Sequence, residues 1–487
     1  MKTWQMYVDG KWSDAQGGRT YSLPNPATEE EIALAPDAAV ADVERAVAAA
    51  RRAFDEGPWP RTPVAERVAV LHRIADGIER RKDEFWRVLV AAHGAEGVTR
   101  GPQLEQPIQL IRNYAEIARG YGFEELLPLV EQTTPAGANL VSTLLVRQPV
   151  GVCALIPTWN FPLWVTAQKF APALATGCTM VVKPSPWGPL LDLMIAEVAE
   201  EAGVPPGVLN VISGESPELG PALVADPRID KVSFTGSNAT GKRIMESVAK
   251  NMTRVHLELG GKSALIILDD ADLGPAVPNA ASPAFFHAGQ GCAMTTRVLV
   301  SRARHDELVT KMKGFVENVV KVGDPADPSV MLGPVIRPER RAAIEAYIAS
   351  GREQGAELAS GGGRPAGLER GWFVQPTIFA NVRNDMRIAR EEIFGPVVSV
   401  IPFEDEDDAV RIANDSDYGL FGGIVTPDRR RAIALARRIR TGGVSINGAT
   451  NTFQKPSGGF KHSGIGRENG RFGLEEYTEL QVVMWPN

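Results

Sequence analysis

Cysteine is scarce in this chain: three in 487 residues, at positions 153, 178 and 292. So small and odd a number makes no disulfide framework and points to a reducing compartment, the cytoplasm. Histidine is nearly as sparse, with six residues that do not cluster. With no C-x-x-C and no H-E-x-x-H either, no metal centre is expected. Basic charge is short too: 52 Lys and Arg against 59 Asp and Glu leave a net charge of −7. That argues against a nucleic-acid or anionic-membrane surface, both of which need a basic patch. No apolar run approaches the roughly 18–20 residues that span a bilayer. The opening "MKTWQMYVDGKW" lacks the basic start and apolar stretch of a secretion signal. Neither low-complexity segments nor repeats of solenoid period occur.

What remains is an ordinary globular composition, 44% hydrophobic and 23% charged. The length suits about three domains, with cores large enough to need no staples. The N-terminal third reads as helical. Val40, Val43, Val47, Ala50 and Phe54 recur at spacings of three and four over 39–56, and a similar stripe runs from Val64 to Val88 over 62–93. From about residue 149, short apolar runs alternate with helical segments. "VGVCALIP" (150–157), "CTMVVKP" (178–184), "VLNVIS" (208–213) and "KVSFTG" (231–236) read as buried strands, with a helix at 189–203. A second series comprises "SALIILDDA" (263–271), "TRVLVS" (296–301), "GGIVT" (422–426) and "GVSIN" (443–447). Strand, helix, strand at this spacing implies two doubly wound parallel sheets.

Cys153 and Cys178 lie inside strand runs and read as small buried hydrophobes. Cys292 differs, because "FFHAGQGCAMTTR" (285–297) surrounds it with Gly, Gln, Ala and Thr. A thiolate in a turn of small residues is open to a substrate. "PTWNFPLW" (157–164) puts Asn160 just past a strand, where its amide can donate to an oxyanion. "HLELGGKS" (256–263) puts Glu258 beside a glycine pair, where a carboxylate could activate water. "FTGSNATG" (234–241) passes from strand to helix through Gly236 and Gly241, a setting that suits a pyrophosphate. Taken singly, each has an ordinary explanation: a structural thiol, a turn asparagine, a solvated acid, an unspecific glycine loop.

Together and in this order they resemble the aldehyde dehydrogenase superfamily, as do "EEIFGPV" (391–397), "GGVSING" (442–448) and "SGGFKHSGIGRENG" (457–470). The resemblance runs from "YVDGKW" near the start to "YTELQVV" near the end. It implies an α/β fold of two Rossmann-type domains plus a small β oligomerisation arm. The dinucleotide-binding domain would take 1–126 and 150–260, the catalytic domain 261–460, and the arm 127–149 and 473–487. It also implies NAD(P)-dependent oxidation of a small-molecule aldehyde to the carboxylic acid by a homo-oligomer, dimer or tetramer. Cys292 would be the nucleophile, forming a thiohemiacetal and then a thioester. Asn160 and the Cys292 N–H would form the oxyanion hole, Glu258 would activate the hydrolytic water, and Glu468 would relay protons. Lys183 and Glu392 would hold the cofactor riboses, with Phe394 and Trp159 at the nicotinamide and Ser237 near the pyrophosphate. Ser185, Pro186, Gly236, Gly241 and Leu259 complete the expected cofactor contacts, and Glu479 would pair with Arg254 and Arg467.

Two departures sharpen the expectation. Pro186 stands where NAD-preferring members usually carry a glutamate, so discrimination between NAD and NADP should be weak. In the pocket Phe161 and Trp164 are aromatic, but Gln168 and Ser457 replace rings that would cage a cation. No arginine stands out to pin a carboxylate, Arg297 falling at the start of the next strand, so a medium-sized neutral aldehyde, aromatic or terpenoid, is expected. The rivals are a coenzyme A-acylating semialdehyde dehydrogenase, disfavoured by Glu258, a cysteine hydrolase using His287, and a non-catalytic relative kept as a structural protein.

Overall fold

The computed structural model describes residues 2–135, 137–449 and 452–486. Two large sheets organise them. The first runs Gly464–Ile465, Arg254–Glu258, Lys231–Thr235, Val152–Ile156, Thr179–Val182, Leu209–Val211, Met6–Val8, Lys11–Ser13. Its five middle strands are parallel, and the flanking pairs at either end are antiparallel. Val152–Ile156 lies between Thr179–Val182 and Lys231–Thr235, so the winding reverses there. Crevices for ligands open beyond the carboxyl ends of strands at such a point. Asn160, Gly236 and Glu258 all follow or end strands on that side.

The second sheet runs Glu357–Ser360, Thr377–Ala380, Val397–Phe403, Arg297–Ser301, Ala264–Ile267, Phe421–Val425, Gly443–Ile446. All neighbours are parallel except the first pair. Helices cover both sheets, and the fully apolar strand runs reflect burial on both faces. A third, four-stranded sheet joins Thr478–Pro486, Gly137–Pro149 and Glu124–Leu126, with Val130–Thr134 on the other half of the long strand.

The strand and helix runs after residue 149 fall where the sequence pattern puts them. The N-terminal reading needs correction. Residues up to Pro36 form five short strands, two of which extend the first sheet. They are too brief for a period of two to stand out. The stripe over 62–93 is two helices, Val64–Arg80 and Lys82–His93, broken at Arg81. Three strands on one side of the second sheet, Glu357–Ser360, Thr377–Ala380 and Val397–Phe403, went unread between loops.

Candidate active site

The Cys292 turn is held by backbone rather than bulk. Helix Leu273–Phe285 ends, and His287, Ala288 and Gly289 follow with φ of 49°, 51° and 72°. At Gly289 a Cβ would lie 2.2 Å from the Gly395 carbonyl oxygen, so only glycine lets the two segments meet. Strain of this kind persists where surrounding structure over-determines it. The Gln290 side chain locks the turn by accepting from Ile336 N–H at 2.9 Å and donating to the His287 carbonyl at 3.2 Å. Cys292 emerges half-buried, with a free thiol.

Asn160 lies two residues before helix Pro162–Thr176, almost wholly buried. Its Nδ2 donates to the Gln290 carbonyl at 2.8 Å, which fixes the amide beside the Cys292 turn. One N–H remains for an oxyanion, since the amide carries two. Glu258 ends its strand, and its Oε2 has no hydrogen-bond partner. Burial, with the nearby Glu468 carboxylate, pushes its pKa up to about 8. Burial and the carboxylates of Glu258 and Glu392 push the Cys292 thiol well above its ordinary range, so a base must take its proton.

Behind Glu258 lies a buried network. Lys169 Nζ pairs with Glu468 Oε1 at 2.7 Å and donates to Ser233 Oγ at 3.1 Å. Sequence reasoning missed Lys169, although a lysine in so apolar a helix was a signal that it needed a buried partner.

One cavity of about 920 Å³ joins these groups. It is lined by Cys292, Asn160, Glu258 and Glu468, by Trp159, Gly236, Ser237, Leu259, Glu392 and Phe394, and by Phe161, Trp164, Gln168 and Ser457. Gly241 lies outside it, inside helix Asn238–Val248 and against Leu259. Lys183, Ser185 and Pro186 are also outside its lining, on the loop that continues to Trp187, which is in it. His287 makes no hydrogen bond to Cys292; its ring nitrogens make no hydrogen bond at all, Nδ1 lies 3.9 Å from Glu96 Oε2, and the ring packs edge-on to Phe161. That geometry supplies no base for a cysteine hydrolase.

The comparisons with known proteins agree along the whole chain. The sequence profile of the Aldehyde dehydrogenase family matches residues 12–483. A 3-succinoylsemialdehyde-pyridine dehydrogenase from a Pseudomonas species is 42% identical, covering 99% of this chain and 98% of its own. A geranial dehydrogenase from Castellaniella defragrans is also 42% identical, covering 98% of each. The crystal structure of a Mycobacterium tuberculosis aldehyde dehydrogenase complexed with NAD+ superposes with a TM-score of 0.95 at 42% identity, covering 100% of this chain and 99% of its own. This chain belongs to the aldehyde dehydrogenase family.

The cavity fits the family's dinucleotide. Helix Asn238–Val248 presents its N-terminus there, capped by Ser237 Oγ accepting from Thr240 N–H at 3.3 Å. At Gly260 a Cβ would meet Glu392 Oε2 at 2.2 Å, so the missing side chain lets that carboxylate approach while Gly261 N–H donates to its Oε1 at 2.9 Å. The buried Thr235 hydroxyl, which also lines the cavity, lacks a partner. Burial lowers the Lys183 ammonium to about 8, and its Nζ reaches only the Pro184 carbonyl, at 3.4 Å.

Of four arginines, two stand as expected, one differs and one was missed. Both Nε and Nη2 of Arg254 donate to the Glu479 carboxylate, as the resemblance implies. Arg467 instead donates to the Gly459 and Gly466 carbonyls at 3.2 and 2.6 Å, and its N–H to Glu476 Oε1 at 3.1 Å. Arg297 does begin its strand, buried against the carbonyls of Lys262, Ile412 and Ala413. Arg340 was not foreseen; it lines the cavity 5.9 Å from the Phe394 ring and donates to the Ile393 carbonyl at 2.6 Å.

Proposed function

We propose that this protein oxidises an aldehyde to the carboxylic acid by the hydrolytic route, with NAD or NADP as partner in the oxidation. The observation that carries the reading is the convergence of Cys292, Asn160 and Glu258 on one cavity that extends to Ser237 and Glu392. The dinucleotide, when bound, supplies the hydride acceptor. Cys292 gives up its thiol proton to solvent, and its Sγ bonds to the aldehyde carbon. Asn160 Nδ2 and the Cys292 N–H hold the oxygen as it becomes anionic. After oxidation the acyl group sits on Sγ as a thioester. Glu258 then removes a proton from water as it attacks that carbon, and the carboxylic acid leaves with the thiol restored. A base placed to activate water favours this over transfer to coenzyme A.

Three further readings accompany it. Ser237, Glu392, Lys183 and Trp159 would hold the cofactor, with weak discrimination because Pro186 brings no carboxylate. Residues 1–126 and 150–260 would act as the dinucleotide-binding domain, 261–460 as the catalytic domain, and 127–149 with 473–487 as an oligomerisation arm. Support for the arm comes from the edge strand Thr478–Pro486, where Leu480, Val482 and Met484 are exposed. Three free cysteines suit the cytoplasm, and no helix among the described residues is long and apolar enough to cross a membrane.

The test is spectrophotometric. Wild-type protein with an aldehyde and NAD or NADP should generate the reduced cofactor, and Cys292→Ala should not. Activity retained by Cys292→Ala would refute the assignment.

A further inference from the structure

The cavity is electrostatically polarised. It is lined by three carboxylates, those of Glu258, Glu392 and Glu468, and the charges of the first two act on the Cys292 thiol. Beyond Cys292 the wall turns apolar, with Phe161 stacked on Phe286 at 6.2 Å and Trp164 at 6.2 Å from Phe453. Two cations line the cavity. Arg340 belongs to the Glu392 and Phe394 end, where a main-chain carbonyl already engages it. The other, Lys455, stands apart from the acids. Its ammonium lies over the Phe421 ring, 5.2 Å from the centroid, and Phe421 lines the same cavity.

Among the described residues, the Lys455 amine has neither an ion pair nor a hydrogen bond, and no carboxylate influences it. Desolvation alone lowers its pKa. A half-buried, unpaired ammonium is costly and gains from an anion brought to it. The nearby polar groups are already satisfied: Gln168 donates to Asn469 Oδ1 at 3.2 Å, and Ser457 Oγ accepts from Asn469 Nδ2 at 3.1 Å.

We propose that Lys455 recognises the far end of the substrate, and that the substrate is an aldehyde bearing a carboxylate remote from its carbonyl. This rests on the reading of Cys292 as the nucleophile of aldehyde oxidation. The charge pattern also sets direction. The carboxylates around Cys292 repel the anionic end, and Lys455 attracts it, so the aldehyde enters carbonyl first. Such a substrate differs from the neutral aldehyde expected from the sequence, which rested on the lack of an arginine near Cys292; Lys455 lies some 160 residues later in the chain.

The experiment compares kcat/KM for 6-oxohexanoate with that for hexanal, and for longer members of each series, in wild type, Lys455→Met, Lys455→Arg and Lys455→Glu. The ratio of the two should favour the oxo acid in wild type. It should fall about ten- to a hundred-fold in Lys455→Met, the worth of one charge-assisted hydrogen bond. Lys455→Arg should keep most of the preference and Lys455→Glu should reverse it. The loss should appear in KM more than in kcat, since this contact forms equally in ground and transition states. Hexanal oxidation with a ratio indifferent to Lys455, or a wild-type preference for hexanal, overturns this proposal alone. Failure of every aldehyde to reduce the cofactor overturns the functional reading along with it.

Discussion

Lys169 Nζ lies 2.7 Å from Glu468 Oε1, and neither side chain is more than 5% exposed. Both charges act on Glu258, the proposed base: Glu468 raises its pKa, and Lys169 opposes it. His256 Nδ1 is 3.6 Å from the same Glu468 oxygen and is held neutral, its pKa driven well down by burial and the neighbouring Lys169 ammonium. Glu258 therefore feels a balanced ion pair rather than a bare charge. Burial remains the main influence on it, which is how a carboxyl comes to titrate near working pH.

Breaking that pair should be expensive. Lys169→Met leaves the Glu468 carboxylate buried without its cation, and the expected loss is about 3–5 kcal/mol. Urea unfolding should show the loss, and adding Glu468→Gln should recover most of it. No recovery would mean that Lys169 contributes packing alone.

Turnover should follow Glu258. The residue must be a carboxylate to take a proton from water, and its pKa is about 8, so kcat should rise between neutral pH and about 9 and level off above. Glu258→Gln should retain a burst of reduced cofactor while steady turnover falls by about a hundred- to ten-thousand-fold. A stopped-flow trace lacking the burst would move the role of Glu258 from deacylation to activation of Cys292.

How far the sequence carried this reading depends on the kind of residue. Cys292, Asn160 and Glu258 were visible because chemistry demands their types within short motifs, and the parallel strands because burial on both faces makes them uniformly apolar. Lys169 and Lys455 were hidden for the opposite reason. Each is brought by the fold against a residue distant in sequence, Glu468 for Lys169 and Phe421 for Lys455, and no local pattern encodes that approach. The break at Arg81 was equally silent, since both helices keep the same apolar spacing across it. Arg467 went astray because a guanidinium is satisfied equally well by carbonyls as by the carboxylate expected for it.

Asn160 should act on rate rather than on folding. Its Nδ2 anchors the Gln290 carbonyl at 2.8 Å and keeps a second N–H free for the developing oxyanion. Asn160→Ala should cost about a hundred- to a thousand-fold in kcat, the measured scale for one oxyanion-hole donor. Its unfolding free energy should fall by only about 1 kcal/mol, one hydrogen bond's net worth. Steady-state kinetics beside a urea titration separates the two. A large stability loss with a matching drop in folded fraction would reduce Asn160 to a strut for the turn.

The cofactor preference should be open to change at Pro186. The loop after strand Thr179–Val182 carries Lys183, whose ammonium is drawn down to about 8 by burial, and a half-buried proline where a carboxylate would repel a 2′-phosphate. Weak discrimination in wild type means kcat/KM for NAD and NADP within a factor of about a thousand, roughly 4 kcal/mol. Pro186→Glu adds an acceptor for the ribose hydroxyls and a negative charge close to Lys183, so kcat/KM with NADP should fall at least about tenfold while that with NAD holds or rises. Because the substitution lies outside the lining of the Cys292 cavity, the burst amplitude with NAD should persist. A parallel fall with both cofactors would show that the proline shapes the loop and that no charge-based selection operates there.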